Sequence, residues 1–83
     1  MDRLLDVVSV TVRPGYRLRL EFENGEQRLF NMSPYMSKKP FNRLKDSPIF
    51  NCAYVDYGTV VWPGNIDIAP ETLYDDSVPL DVK

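Results

Sequence analysis

The side chains that could take part in catalysis are few in this sequence. Histidine, which serves most often as a general base and as a metal ligand, is absent from all 83 residues. Cys52 is the only cysteine, so the sequence permits no intrachain disulfide, and a nucleophilic thiolate would have no imidazole to activate it. We therefore expect Cys52 to be a buried, unreactive thiol. We also expect no catalytic residues, no metal site and no cofactor.

Two acidic residues, Asp56 and Asp67, could in principle act together as a general acid and a general base. Nothing in their spacing favours this role, and paired carboxylates are common on acidic surfaces. The four glycines stand singly in the sequence, so a glycine-rich phosphate loop is absent as well. These patterns favour a protein that is not an enzyme.

One group of aromatic and acidic residues invites a functional interpretation as a binding site. Its members are Trp62, Asp67, Tyr74, Asp56 and Tyr57. A carboxylate beside aromatic rings could bind a cation or hydrogen-bond an exposed strand of a partner. In the structural alternative, which we favour, Trp62 and Tyr74 fill the core and Asp67 accepts N–H bonds from the turn after Pro70.

A basic stripe is the second candidate site, and it consists of Arg17, Arg19 and Arg28. Such a stripe could grip a phosphate group or an acidic partner. Three glutamates lie beside it and would neutralise much of its field: Glu21, Glu23 and Glu26. We therefore expect a salt-bridged, solvated face rather than a binding site.

The overall charge and composition restrict the class of protein further. Twelve acidic against ten basic residues give a net charge of -2, which disfavours direct nucleic-acid contact because such contact relies on neutralising phosphates. The apolar fraction of 43% is typical of a folded domain. No apolar run approaches the roughly 20 residues that cross a bilayer, and the N-terminal residues lack the pattern of a signal peptide. We expect a cytoplasmic protein that does not enter a membrane.

Alternating apolar and polar residues predict the elements that must position these side chains. Residues 6–12 read as a first strand, with Val8, Val10 and Val12 on its buried face. Residues 16–22 alternate more cleanly and read as a second strand. Four of its side chains share the apolar face: Tyr16, Leu18, Leu20 and Phe22.

The dipeptide Asn24-Gly25 predicts a tight hairpin turn after the second strand. A two-residue loop would direct Leu29 into the core, whereas a three-residue loop with a bulge would slip the register by one and direct Phe30 there. We prefer the two-residue loop because it pairs Glu21 with Arg28 on the solvated face and keeps Arg28 out of the core.

The rest of the chain predicts short elements. Prolines interrupt residues 31–50, where we expect helical turns of at most about eight residues, opened by Ser33-Pro34 and Ser47-Pro48. Residues 52–56 and 59–62 read as a hairpin that turns at Tyr57-Gly58, and residues 65–68 as a short edge piece. Residues 70–74 read as one helical turn.

These elements predict an α+β fold in which short helices pack on a small antiparallel β-sheet of hairpins. We expect a single domain over residues 1–75 and an acidic, mobile tail over residues 76–83. An open edge strand would also permit a homodimer.

With these residues in view, the sequence resembles a family of small bacterial proteins, domain of unknown function 2442 (DUF2442). The features that carry the resemblance are the Asn24-Gly25-Glu26 turn, the Ser33-Pro34-Tyr35 entry to the helical section, the run Trp62-Pro63-Gly64-Asn65-Ile66-Asp67-Ile68, and the run Pro70-Glu71-Thr72-Leu73-Tyr74. The resemblance implies a compact α+β fold. It also implies a domain that is sometimes followed by a helix-turn-helix domain and sometimes encoded alone beside another small protein.

From these observations we expect a non-enzymatic protein-interaction module of a regulatory or toxin-antitoxin-like system, with a small protein encoded nearby as its partner. One alternative is an accessory domain of a nucleic-acid-associated transcriptional regulator. A second alternative is a small-molecule binder with a pocket near Trp62 and Tyr74.

Overall fold

The computed structural model describes residues 5–80, which form seven strands, one short α-helix and three 3₁₀ helices. The strands are β1 (Val7–Arg13), β2 (Arg17–Phe22), β3 (Gln27–Asn31), β4 (Tyr54–Asp56), β5 (Thr59–Trp62), β6 (Ile66–Ile68) and β7 (Val78–Pro79). The α-helix is α1 (Pro70–Asp75), and the 3₁₀ helices are Ser33–Tyr35, Phe41–Leu44 and Pro48–Cys52. Within this range, no helix combines the length and the hydrophobicity that a membrane span requires.

The strands form two antiparallel sheets. The first sheet has the order β1-β2-β3-β7, and the second has the order β4-β5-β6. One continuous core lies between their inner faces and includes side chains from the 3₁₀ helices and α1. The α+β class therefore describes the fold only roughly, because helices are a small part of it.

Strand β2 confirms the alternating pattern. Leu18, Leu20 and Phe22 are buried, while the residues between them point to the opposite face. Strand β1 follows the predicted pattern only in part, because a bulge interrupts its pairing between Val7 and Ser9. An extra residue at a bulge reverses the facing of the residues before it. Val7 is therefore buried and Val8 is exposed, contrary to our expectation for Val8.

The hairpin between β2 and β3 has the register that we did not prefer. The Phe22 amide donates to the Glu26 carbonyl (2.9 Å), which closes a three-residue loop over residues 23–25. Gly25 takes the left-handed conformation that this loop needs, with φ at 89°. Phe30 consequently lies in the core opposite Leu18, and Leu29 lies on the outer face.

The segment from residue 32 to residue 53 forms the predicted short helices. The side chain of Ser47 caps the third 3₁₀ helix by accepting from the Ile49 amide (3.2 Å), as expected for a serine before a proline. Ser33 does not act as a cap, because its helix begins one residue earlier than predicted and has Met32 at the cap position.

The second sheet and α1 follow the sequence pattern closely. β4 and β5 join through Tyr57 and Gly58, whose φ angles of 53° and 72° are both in the left-handed region, as in a type I′ turn. β6 pairs along the free edge of β5, as expected for residues 65–68. Helix α1 begins at Pro70.

Part of the segment that we expected to be a tail belongs to the first sheet. β7 pairs with β3, and the Leu80 amide donates to the Gln27 carbonyl (2.8 Å). The expected boundary at residue 75 thus falls just before an edge strand. Residues 81–83 of the predicted tail lie outside the described residues.

Candidate interaction surfaces

The candidate residue Trp62 is part of the core. Its ring is fully buried and stacks on Phe50 with ring centres 6.1 Å apart. Its indole Nε1 donates a hydrogen bond to the Phe50 carbonyl (3.1 Å), which satisfies the polar atom of the side chain. Trp62 therefore has a structural role and presents no surface to a ligand.

Asp56 and Asp67 lie on the outer face of the second sheet. Asp67 is exposed and pairs across the sheet with Val61, which in turn pairs with Tyr54. α1 has no side-chain cap, so Asp67 does not accept the helix N–H bonds that we expected of it. Asp56 is also exposed, and its Oδ1 accepts from the Tyr57 amide (3.1 Å).

Tyr74 belongs to a different part of the molecule. Its ring contacts Phe22 edge-on, and its hydroxyl donates to Glu26 Oε2 (2.6 Å). Within residues 5–80, no hydrogen bond or ring contact joins Tyr74 to Trp62 or Asp67. The five candidate residues are thus distributed over the core, the second sheet and α1.

Arg28 is the centre of a polar network that the sequence pattern did not reveal. Its side chain faces inward and is 11% exposed. Nε donates to Ser77 Oγ (2.7 Å), Nη2 to the Ser77 carbonyl (2.9 Å) and Nη1 to Glu26 Oε1 (2.9 Å). The guanidinium also lies 4.3 Å from the centre of the Tyr74 ring. These bonds compensate for burying the charge of Arg28, and that burial was our reason for expecting the other hairpin register.

The same network shifts the pKa values of two of its groups, Glu26 and Tyr74. The hydrogen bond from the Tyr74 hydroxyl, followed by bonds from Asn24 and Arg28, lowers the pKa of the Glu26 carboxyl from its ordinary value of 4.5. The hydrogen bond to the Glu26 carboxylate, followed by partial desolvation and the negative charge of Glu26, raises the pKa of the Tyr74 hydroxyl above 10.0. Glu26 therefore stays ionised and Tyr74 stays protonated near neutral pH, and the network joins β3 to α1 rather than exchanging protons.

Tyr57 is the most exposed large apolar side chain among the described residues, at 93%. It lies at the tip of the β4–β5 hairpin, and the Val7 amide attaches this hairpin to β1 by donating to the Gly58 carbonyl (2.9 Å). Val8 and Tyr54, two further exposed apolar residues, lie on β1 and β4, which are in contact. We call Tyr57, Tyr54 and Val8 the Tyr57 patch.

Tyr16 provides a comparison, because its backbone is also left-handed (φ 59°). The Tyr16 hydroxyl accepts from the Asp46 amide (2.9 Å), and its ring contacts Phe50 edge-on. These contacts hold Tyr16 in an unfavourable conformation. Within residues 5–80, no hydrogen bond or ring contact does the same for the Tyr57 side chain.

A groove of about 310 Å³ lies on the outer face of the first sheet, and we call it the arginine groove. It is lined by Arg13, Pro14, Arg17, Arg19, Leu29 and Leu80. Arg17 Nε donates to the Pro14 carbonyl (3.1 Å), and Arg19 Nη2 donates to Gln27 Oε1.

The arginine groove corrects the predicted basic stripe in two respects. Arg28 points to the other face of the sheet. Arg13 takes its place, although the predicted first strand ended at Val12 and did not include it. The predicted salt bridges also form only in part: Glu26 pairs with Arg28, whereas no carboxylate within residues 5–80 forms an ion pair with an arginine of the groove.

Cys52 is exposed, contrary to our expectation of a buried thiol. The reason is its position: it ends the third 3₁₀ helix instead of beginning a strand, and its Sγ reaches only the Pro48 carbonyl (3.8 Å). Over the described part of the chain, the structure brings no three acidic or cysteine side chains close enough to share a metal ion.

A comparison with protein-family models gives one match. The model described as "Protein of unknown function (DUF2442)" covers residues 7–79, from the start of β1 to the end of β7. Neither the curated proteins nor the solved structures provide a match to the chain.

Proposed function

The chain belongs to the DUF2442 family, and we propose that it is a non-enzymatic protein-interaction module that binds its partner through the Tyr57 patch. The observation that carries this proposal is the conformation and exposure of Tyr57. A large aromatic ring stands in solvent at the tip of a hairpin, on a backbone that disfavours it.

The isolated fold gains little from tyrosine at this position. A left-handed backbone costs a non-glycine residue roughly 1 kcal/mol, and asparagine is the residue that tolerates the first position of a type I′ turn best. Tyrosine is, in contrast, enriched among the residues that dominate binding at protein interfaces. A residue that is unfavourable for the free fold and well suited to an interface supports an interaction role.

The partner that we propose is a small protein encoded beside this chain, in a cytoplasmic regulatory or toxin-antitoxin-like pair. The support is the gene arrangement that the family resemblance implies, together with the type of surface. Tyr54 and Val8 are exposed on the contacting strands β4 and β1, and the exposed acidic residue Asp56 directly precedes Tyr57. An apolar centre with a polar rim is the usual anatomy of a specific interface.

The test is to co-express the chain with the product of the adjacent gene and to measure the affinity of the purified proteins by calorimetry. We expect Tyr57→Asn to weaken binding at least about tenfold, while it leaves the free energy of unfolding unchanged or raises it by about 0.5–1 kcal/mol. Lys45→Asn, which changes another exposed residue, serves as the control and should bind like the wild type.

Two results would overturn the proposal. One is equal affinity of the wild type and Tyr57→Asn for the neighbouring protein, since the patch would then lie outside the interface. The other is the absence of any complex combined with a dimeric mass of the purified chain that Tyr57→Asn reduces to a monomer. That result would assign the patch to a second copy of the chain.

A further inference from the structure

The arginine groove concentrates positive charge on one face of the first sheet. Arg13 and Arg17 are direct cross-strand partners on β1 and β2, and Arg19 follows two residues later on the same face. Directly opposed side chains have Cβ atoms about 5 Å apart, and like charges at this spacing repel each other. The groove therefore carries a repulsion that an anionic ligand would relieve.

This repulsion remains although the chain has more acidic than basic residues. Within residues 5–80, none of the three groove arginines forms an ion pair with a carboxylate. The arginine that does form an ion pair there is Arg28, on the inner face. Glu21 follows Arg19 on the same outer face of β2 and offsets the charge of the groove in part, but it forms no ion pair with Arg19 within the described residues, so the guanidinium groups remain available to a ligand.

Two of the three guanidinium groups are held in place by neutral acceptors. Arg17 is bound to the Pro14 carbonyl and Arg19 to the Gln27 side chain. Each of these bonds uses one N–H of a group that has five, so the remaining donors stay free for a ligand. A fixed, planar guanidinium matches the two oxygens of a carboxylate.

The rest of the groove is apolar and indicates the class of ligand. Leu29 and Leu80 line it, and Val78, the cross-strand partner of Leu29, stands exposed on the same face. The volume of the groove is at the lower end of the range for ligand pockets, which suits a short peptide segment. A nucleic acid would gain from the arginines but not from the leucines, and it would meet a protein of net charge -2.

We propose that the arginine groove binds an acidic segment of a protein partner, with carboxylates on Arg13, Arg17 and Arg19 and an apolar side chain against Leu29 and Leu80. The inference rests on the proposed interaction function and adds a second contact to it. The two surfaces can be tested apart, because β1 extends roughly 20 Å from the Val7 contact with the Tyr57 hairpin to Arg13.

The experiment measures the fluorescence anisotropy of a labelled peptide, acetyl-Asp-Leu-Glu-Leu-Asp-amide, titrated with the full chain at low salt. The neutral peptide acetyl-Asn-Leu-Gln-Leu-Asn-amide and an oligothymidylate of similar charge are titrated in parallel. We expect the acidic peptide to bind at least about tenfold more tightly than either competitor. Its affinity should fall as salt is added, because the contacts are exposed.

Variants of the groove then locate the site. Arg17→Gln should weaken peptide binding about five- to tenfold. Arg17→Lys should have an intermediate effect, because lysine keeps the charge but lacks the planar guanidinium that donates to both oxygens of a carboxylate. The control Lys45→Gln removes the same charge outside the groove and should bind like the wild type. Emission of the buried Trp62 reports whether each variant is folded.

Three outcomes would overturn this inference: equal binding of the acidic and neutral peptides, tighter binding of the oligothymidylate, or an affinity unaffected by Arg17→Gln in a folded variant. Tyr57→Asn should bind the acidic peptide like the wild type. Normal peptide binding together with loss of the neighbouring protein in calorimetry would therefore separate the two surfaces, and a failure of one proposal is distinguishable from a failure of the other.

Discussion

Replacing Arg28 by alanine should destabilise this protein more than any other substitution of an arginine in β1, β2 or β3. Arg28 is the arginine that these strands direct to the inner face, where it donates two hydrogen bonds to Ser77 and one to Glu26. Ser77 is 6% exposed, so water cannot easily replace the lost donors. The substitution therefore leaves buried acceptors without partners.

The size of the effect follows from these contacts. A hydrogen bond from a charged donor contributes about 1.5–3 kcal/mol, and two of them end on the buried Ser77. Since bonds that share one residue are not additive, we expect a loss of about 3 kcal/mol for Arg28→Ala. We count nothing more for the ion pair, because the Glu26 side chain is 36% exposed. An 83-residue domain has a total stability of roughly 4–12 kcal/mol.

Urea unfolding followed by Trp62 fluorescence measures this loss, because the single tryptophan is fully buried in the native state. Arg28→Lys keeps the charge without the forked donors and should lose about half as much. Arg13→Ala is the matched control: it removes an arginine from the same sheet that has no ion pair within the described residues. We expect it to change stability by less than about 0.5 kcal/mol.

A loss below about 1 kcal/mol for Arg28→Ala, similar to that for Arg13→Ala, would refute the reasoning. The network would then contribute no more than a surface arginine does. Our explanation of how the core face accommodates Arg28 in the observed hairpin register would fail with it.

Two further predictions concern the acid stability of the network and the β4–β5 turn. Because the hydrogen bond from Tyr74 lowers the pKa of Glu26, the ionised carboxylate stabilises the fold above pH 4.5, and this contribution is lost as the pH falls through the lowered pKa. In urea unfolding, the wild type should therefore lose stability relative to Glu26→Gln below about pH 4.5. A difference in stability that stays constant with pH would contradict this assignment. Gly58→Ala should cost about 1–3 kcal/mol, mainly because φ is 72°, and also because the exposed Asp6 side chain, whose Oδ1 would lie 2.5 Å from the new Cβ, must rotate away. Gly25→Ala, with φ at 89° and no atom within 4 Å, should cost less in the same assay, and equal costs would count against the steric argument.

The local pattern of the sequence was sufficient for much of the fold. The alternation in β2, the hairpin at Tyr57-Gly58 and the proline that begins α1 are each decided by residues that are close together in the chain. Side-chain alternation and the left-handed preference of glycine act over a few residues, so they can be recognised without knowing the rest of the molecule.

Other features depended on residues far apart in the chain. Our preferred register assumed that Arg28 had to be kept from the core, but its partner Ser77 is 49 positions away and belongs to a segment that we expected to be a tail. The direction of the Val8 side chain similarly depended on a bulge at the point where β1 contacts the β4–β5 hairpin. No local pattern reports such distant partners.

The candidate surfaces were likewise determined partly by the local sequence and partly by the tertiary structure. By itself, the sequence determined which side chains are available: no histidine, one cysteine, and arginines that alternate along β2. Only the tertiary structure decided that Trp62 is core, that Tyr57 is exposed, and that Arg13 joins Arg17 in a groove beside Leu80. The physical reason is that a binding surface is defined by exposure and by neighbours from several strands, and both are properties of the packed chain rather than of any one segment.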